Sequence, residues 1–383
     1  MSDITLADVA HVIMGQSPDG TTYNKAKIGT PLLNGPAEFG SINPIAVQWT
    51  TEPTKIALPG DILFCVRGNT LGRQNIADQE YVIGRGLAAI RARQDKADTD
   101  YIGLWLQHKA DELLAAGNGS TFPSVSGDFL EAQPFPEVTA EEQRQIASRL
   151  KAQLAEVETA RQAAQAQLRD ATLLRQRLLR QAFEALADGP HKVLGEWATT
   201  TSGSTPSRGD KRYWSPAEIP WVKTGEVAFA PITRTEEAIS KQALAECSLT
   251  LLPPQTVLVA MIGQGKTRGQ SAILEIAATT NQNCFAIQPN DTWEASFLFH
   301  WLMASYYDLR ELSGGRGGSQ SALNGALLNA LKIPAPTIDD QRRIVARLKQ
   351  QLADADALRT ALEQQLRDLD ALPQRILALA FEN

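Results

Sequence analysis

The chain has 383 residues, 43% hydrophobic and 21% charged, with a formal net charge of −6. That is enough apolar material for two cored domains, and no segment is a basic arm of the kind that binds nucleic acid on its own. Three cysteines without shared spacing and four scattered histidines argue against a disulfide framework and a Cys/His metal centre, and neither a secretion signal nor a membrane span is apparent, so a cytoplasmic protein is expected.

Residues 1–139 carry 10 basic and 16 acidic side chains, a net charge as large as that of the whole chain. Their composition is loop-rich, with strands expected at Asp61–Val66 and Leu87–Arg91 and an amphipathic helix over 99–116. A long helix follows over 140–187. Gln, Ala, Leu, Arg and Glu dominate it, no Gly or Pro falls within 141–184, and Thr139 is placed to cap it. Residues 188–337 return to the β-rich pattern, with strands expected at Thr256–Ile262 and Cys284–Ile287 and a helix over 293–312. Residues 338–383 read as a second long helix with Asp339 as N-cap. Pro373 is expected to kink or break its last turns.

The two helices are one sequence written twice. EEQRQIASRLKAQLAEVETARQAAQAQLRDATLLRQRLLRQAFE (141–184) aligns without a gap to DDQRRIVARLKQQLADADALRTALEQQLRDLDALPQRILALAFE (339–382), with 22 of 44 positions identical. Apolar residues recur at 3–4 spacing: Ala147, Leu150, Leu154, Val157, Ala164, Leu168, Ala171 and Leu178 in the first copy. In the second they are Val345, Leu348, Leu352, Ala355, Leu362, Leu366, Leu369 and Ile376. Arg161 and Arg359 interrupt the seam at the same slot. Each helix would reach roughly 66 Å at 1.5 Å per residue. The plainer reading is an exposed coiled coil that only oligomerises. The duplication favours helices that pair with each other, antiparallel, as a spacer between two domains. The expected fold is therefore α+β: two similar globular domains (1–139 and 188–337) joined by two long antiparallel coiled-coil helices (140–187 and 338–383), an internal repeat with pseudo-two-fold character.

The globular segments echo each other weakly. TPLLNGPAEFG (30–40) answers IPWVKTGEVAF (219–229), LPGDILFCVRGNTLGRQNIA (58–77) answers LPPQTVLVAMIGQGKTRGQSAIL (252–274), and AAGNGSTFPSVSGDFL (115–130) answers SGGRGGSQSALNGALL (313–328). With SGSTPSRGDKRYW (202–214) and the paired EEQRQI and DDQRRI helix starts, the chain resembles the specificity subunits of Type I restriction–modification systems over nearly its whole length. No single short motif carries the likeness; the order of the motifs and the duplicated helices do.

The resemblance implies a non-catalytic DNA-binding subunit. Each globular domain would read one half of a split double-stranded DNA target, and the helices would set the gap. Two methyltransferase subunits and restriction/translocase subunits are the implied partners. S-adenosylmethionine, ATP and Mg are expected in those partners and no cofactor in this chain. Loops rich in hydroxyls and cations supply the candidate DNA contacts: Gln16, Ser17, Tyr23, Lys25, Arg67 and Arg73 in the first domain, and Ser207, Arg208, Lys211, Arg212, Lys223, Lys266, Arg268 and Arg316 in the second. Tyr213 and Trp214 read better as packing anchors. Ala260–Thr267 approaches a phosphate-loop pattern but has Ala260 where the first glycine belongs, and its duplicate lacks the Lys-Thr pair. No adenine-methyltransferase Asn/Asp-Pro-Pro-aromatic motif is present. Two other readings stay open at this level: a coiled-coil scaffold or regulator binding protein partners, and a nucleotide-dependent enzyme using Lys266 and Thr267.

Overall fold

The computed structural model describes residues 4–93, 95–117, 123–263, 265–314 and 322–382. The chain divides into two compact units, Met1–Gln165 with Gln364–Asn383, and Ala166–Glu363. Each holds one globular segment and one part of each long helix.

In the first unit α1 (Leu6–Val9) leads into β1 (Ala10–Met14). There follow β2 (Tyr23–Asn24), β3 (Thr30–Leu33), β4 (Gln48–Thr50), β5 (Ile56–Ala57), β6 (Ile62–Cys65), β7 (Gln74–Ile76), β8 (Tyr81–Ile83) and β9 (Leu87–Ala92). They form two sheets, ordered β1-β9-β6-β7 and β2-β4-β3-β8-β5. Because side chains alternate along a strand, β6 serves two cores. Ile62 and Phe64 face α2 (Thr99–Ala116), packing with Trp105 and Phe135, while Leu63 and Cys65 face the second sheet through Leu33 and Ile83. Ser126 then caps α3 (Gly127–Glu131), and the chain enters α4 (Ala140–Glu184).

The second unit runs β10 (His191–Val193), α5 (Leu194–Trp197), β11 (Thr200–Ser202), β12 (Ile219–Val222), β13 (Pro231–Ile232), β14 (Glu237–Ile239), α6 (Lys241–Glu246), β15 (Val257–Ala260), β16 (Ser271–Leu274), β17 (Thr279–Thr280) and β18 (Cys284–Ile287). Helices α7 (Ala295–Ala304), α8 (Tyr306–Gly314) and α9 (Gly325–Asn329), strand β19 (Lys332–Pro334) and α10 (Ile338–Phe381) complete it. Its main sheets, β11-β18-β15-β16-β13 and β14-β12-β17, repeat the frame of the first unit. The match holds bond by bond. Gly72 N donates to Cys65 O and Cys65 N to Arg73 O, both at 2.9 Å; Gly269 N donates to Ala260 O and Ala260 N to Gln270 O, again at 2.9 Å. The β6–β7 and β15–β16 turns are thus the same element. Gly72 has φ +90°, and a Cβ there would lie 2.8 Å from the Ala110 Cβ on α2, so only glycine seats this turn.

All four expected strands are present, and the helix over 99–116 is α2. The span 293–312 differs from expectation: it is two helices, α7 and α8, meeting at Ser305. The break turns α8 so that the Tyr306 hydroxyl donates to Lys266 O at 2.6 Å and Arg310 donates to Arg268 O at 2.9 Å, tertiary bonds that override helix propensity.

Within each unit the long-helix segments run antiparallel. Leu150 of α4 shares a core with Leu377 of α10 in the first unit. In the second, Arg175 pairs with Asp356 at 2.8 Å while Phe183 packs in a core with Val345. Ala147, Leu150, Val157, Ala164 and Ala171 are buried as the seam requires, as are Val345, Leu348, Leu352, Ala355 and Leu362. Toward the C-termini the buried positions are Leu179 and Leu377, one residue on from the expected Leu178 and Ile376. A straight helix drifts against a strict heptad, and these ends pack on globular cores.

Two terminal expectations are corrected. Thr139 caps α4 in a capping box with Glu142. The cap of α10 is Thr337, not Asp339: its hydroxyl accepts from Asp340 N at 3.2 Å, the same Thr-x-x-acid spacing. Pro373 lies inside α10 without breaking it. Leu377 and Phe381 anchor the following turns in the first unit's core, Phe381 edge-on to Tyr101 at 5.3 Å, which offsets the missing backbone bond.

The repeated helix starts have a physical role. Gln143 is buried; its Oε1 accepts from Asp98 N at 2.9 Å and its Nε2 donates to Val138 O at 3.1 Å. Gln341 is buried likewise, accepting from Glu294 N and donating to Thr292 O, both at 2.8 Å, and to Pro336 O at 2.9 Å. Asp98 and Glu294 cap α2 and α7. One glutamine in each unit thus ties the start of a long helix to the start of the helix covering the sheet.

Burial lowers the pKa of His108 and of His300 below the ordinary 6.5. Both are held neutral in the fold while the unfolded chain protonates more readily. Their contribution to stability is therefore complete above about pH 6.5 and is lost as pH falls below it. Thermal melts between about pH 8 and pH 5 are expected to show this decline, and His300→Asn to flatten it.

Candidate nucleic-acid interface

In the second unit the loop after β11 carries three of the seven expected cations, Arg208, Lys211 and Arg212. Asp210 caps a single 3-10 turn over Lys211–Tyr213 and pairs with Arg212 at 2.7 Å. The Trp214 indole donates to Ser207 O at 3.1 Å and stands edge-on to Trp221 at 5.2 Å, which fixes the loop to β12. The Arg208 guanidinium lies over Trp214, 3.9 Å from the ring centroid, and ion-pairs with Glu237 of β14. Lys223 reaches Glu236 at 2.5 Å and Glu237 at 3.2 Å. Arg208, Lys211, Trp214, Ser215, Glu237 and Ala238 line an open recess of about 420 Å³.

The charges hold one another in place. Hydrogen bonding from Arg208, aided by Lys223, keeps the Glu237 carboxyl below its usual range, and Glu236 with Glu237 raises the Lys223 ammonium. Arg212 is raised by Asp210. Such exposed pairs contribute little to stability, but they hold Arg208 and Lys223 against Glu237. Tyr213 and Trp214 pack against the small core around Trp221, as expected of anchors.

Lys266 and Arg268 occupy a separate seat, the β15–β16 turn held on α8; Lys266 is exposed. Among the described residues this turn returns from Ala260 into the antiparallel strand β16 rather than into a helix, so it lacks the helix N-terminus that cradles phosphate in a nucleotide loop. Arg316 lies outside the described residues.

In the first unit Gln16 and Ser17 lie in the loop that leads to Tyr23 at the start of β2. Gln16 N donates to Ile83 O at 2.9 Å, Ser17 Oγ accepts from Arg85 N at 3.3 Å, and the Tyr23 hydroxyl donates to Pro18 O at 3.2 Å. Lys25 is exposed just beyond β2. Arg67 and Arg73 are exposed in the β6–β7 turn, the counterpart of the Lys266 turn. Three residues at these edges escape a reading of composition and motif: Asn34, Gln48 and Glu237. Only strand register brings Gln48 and Glu237 to the loops. The one signal in the sequence is the alignment of TPLLN with IPWVK, which sets Asn34 against Lys223.

Two copies of one α+β module, each with polar loops at a sheet edge and each tied to its copy of a long helix, define a tandem-domain protein. The chain belongs to the family of the Type I restriction modification DNA specificity domain, whose model matches residues 1–167 and again 192–368. It is 40% identical over 141 residues to the putative type I restriction enzyme MjaX specificity subunit of Methanocaldococcus jannaschii, covering 37% of this chain and 33% of that protein. It is 26% identical over 155 residues to the EcoR124I/EcoR124II specificity subunit of Escherichia coli, covering 40% of this chain and 38% of that one. These matches span little more than a third of the relatives' lengths. The fold is similar to the HsdS subunit from Thermoanaerobacter tengcongensis (TM-score 0.71, 20% identity, 99% of this chain and 95% of that one). It is also similar to a chain from a study of complex assembly and conformational transition of the type I R-M system (TM-score 0.70, 21% identity, 99% and 96%).

Proposed function

We propose that this chain is the sequence-specific DNA-binding subunit of a Type I restriction–modification complex, non-catalytic itself and working in the cytoplasm. The observation that carries the reading is the double match: the same specificity domain falls on each half of the chain, and each copy runs into its own copy of the long helix. Each globular domain reads one half-site through the major groove, where all four base pairs differ. The long helices set the unread gap and dock two methyltransferase subunits. Those subunits bring S-adenosylmethionine and flip the target adenine. A restriction/translocase subunit using ATP and Mg completes the complex. Loop cations such as Lys25, Arg67, Arg73, Lys211 and Lys266 contact phosphates.

The decisive experiment maps N6-methyladenine genome-wide in the host with this gene intact and deleted. One split motif is expected to lose methylation. Methylation unchanged despite an active co-expressed methyltransferase would leave a protein-binding scaffold as the better reading. A chain of net charge −6 draws much of its phosphate attraction from partners. The fall of log K with log salt is therefore expected to be steeper for the assembled complex than for this chain alone, measured by DNA binding across a salt series. Equal slopes overturn that division of contacts.

A further inference from the structure

The duplicated frame allows the two recognition edges to be compared position by position. Gly84 N donates to Leu33 O at 2.7 Å and Asn281 N to Val222 O at 3.0 Å, which makes Leu33 and Val222 counterparts. Leu32 stands opposite Gln48 across β3–β4, and Trp221 opposite Glu237 across β12–β14. Asn34 therefore corresponds to Lys223, and Gln48 to Glu237. At both edges these residues bond across the strands: Asn34 Nδ2 donates to Gln48 Oε1 at 3.3 Å, and Lys223 Nζ reaches Glu237 Oε1 at 3.2 Å. A neutral amide pair in one unit is replaced by a charged pair in the other with no change of register. The fold needs neither chemistry in particular; what differs is the hydrogen-bonding face shown to solvent.

The second unit adds a further element. Gln16 N bonds Ile83 O as Ser204 N bonds Thr280 O, and Asp19 and Asp210 each cap the next 3-10 turn. The chain between these anchors is longer in the second unit, and the added stretch carries Arg208 onto Trp214 and Glu237.

We propose that the shared position of Gln48 and Glu237 is the base-reading position of each domain, with Asn34–Gln48 selecting an adenine and Glu237, together with the loop residue Arg208, selecting a G·C pair. The assignment rests on the specificity reading above. In the first unit the Nδ2–Oε1 bond leaves Asn34 Oδ1 as acceptor and Gln48 Nε2 as donor, the complement of adenine N6–H and N7. In the second, an arginine held over an indole presents its fork to guanine O6 and N7, and the adjacent carboxylate accepts from cytosine N4. Glu237 is also a positioning residue, since it orients Arg208. Lys223, bonded to the same carboxylate, holds Glu237 in register.

The test uses the full chain assembled with its methyltransferase subunit. The probe is a pool of duplexes carrying two randomised blocks separated by spacers of up to about one helical turn. Arg208→Lys keeps the charge and removes the fork. It is expected to lower the preference at one G·C position of the second half-site on the order of 10- to 100-fold, leaving the first half-site unchanged. Glu237→Gln is expected to relax the same position, and Asn34→Ala with Gln48→Ala to relax one A·T position of the first half-site only. The untouched half-site reports that each variant folds and assembles. The assignment is overturned if every position of the altered domain's half-site keeps its preference, or if preference is lost in the other half-site. A wild-type complex that enriches no split motif overturns the specificity reading itself, and this assignment with it.

Discussion

Deleting Ala163–Arg169 and the repeat-equivalent Ala361–Arg367 together is expected to move methylation from the original split motif to one with a gap shorter by about three base pairs, both half-sites unchanged. Seven residues at 1.5 Å each remove about 10 Å of helix, and DNA rises about 3.4 Å per base pair. The two segments straddle the point where each helix passes from one compact unit to the other, so neither globular core loses a member. A whole heptad keeps the apolar seam in phase. Methylome mapping of cells carrying the shortened chain with its methyltransferase reads the result directly. Half-sites that change while the gap stays constant would refute the spacer role.

A second large effect is expected at the buried glutamines. Gln143→Leu keeps volume and helix propensity but strands the Asp98 N–H and the Val138 carbonyl without a partner; Gln341→Leu does the same to Glu294 N–H and the Thr292 and Pro336 carbonyls. Leaving these part-buried groups unbonded costs on the order of 2–3 kcal/mol in total. For units of this size that is roughly a 10 °C fall in Tm. Gln145→Leu is the control, because the exposed Gln145 side chain bonds, among the described residues, only the exposed Glu141 at 3.3 Å. Thermal denaturation in which Q143L and Q145L melt together would remove the clamp from the account. The clamp also explains why the helix starts stay alike between copies while the loops diverge: each start must fit a fixed set of backbone partners, and the loops need not.

Local rules made much of the architecture legible. Helix-forming composition, 3–4 spacing and duplication identify both long helices, because those signals lie within a few residues of one another along the chain. Runs such as Ile62–Cys65 and Cys284–Ile287 are apolar on both faces, which marks them as central strands before any partner is known. The cap of α10 lies two residues before the expected Asp339 because Thr337 and Asp339 are both competent caps, and only the position of Asp340 N decides between them. Pro373 shows the limit of propensity: anchoring at Leu377 and Phe381 outweighs one lost backbone bond.

The recognition edges divide in the same way. Loop composition alone marks Arg208, Lys211 and Lys223 as candidates, since hydroxyls, cations and aromatics are concentrated there. That Glu237 holds both Arg208 and Lys223, and that Asn34 meets Gln48, depend on the placement of segments 14 to 29 residues apart. Thus the sequence by itself determined the tandem plan, the paired helices and the family, because these follow from repetition and short-range periodicity. Only the tertiary structure decided which side chains face each other across the strands, because side-chain pairing in a sheet depends on register, and register is settled by long-range packing rather than by any local run of residues.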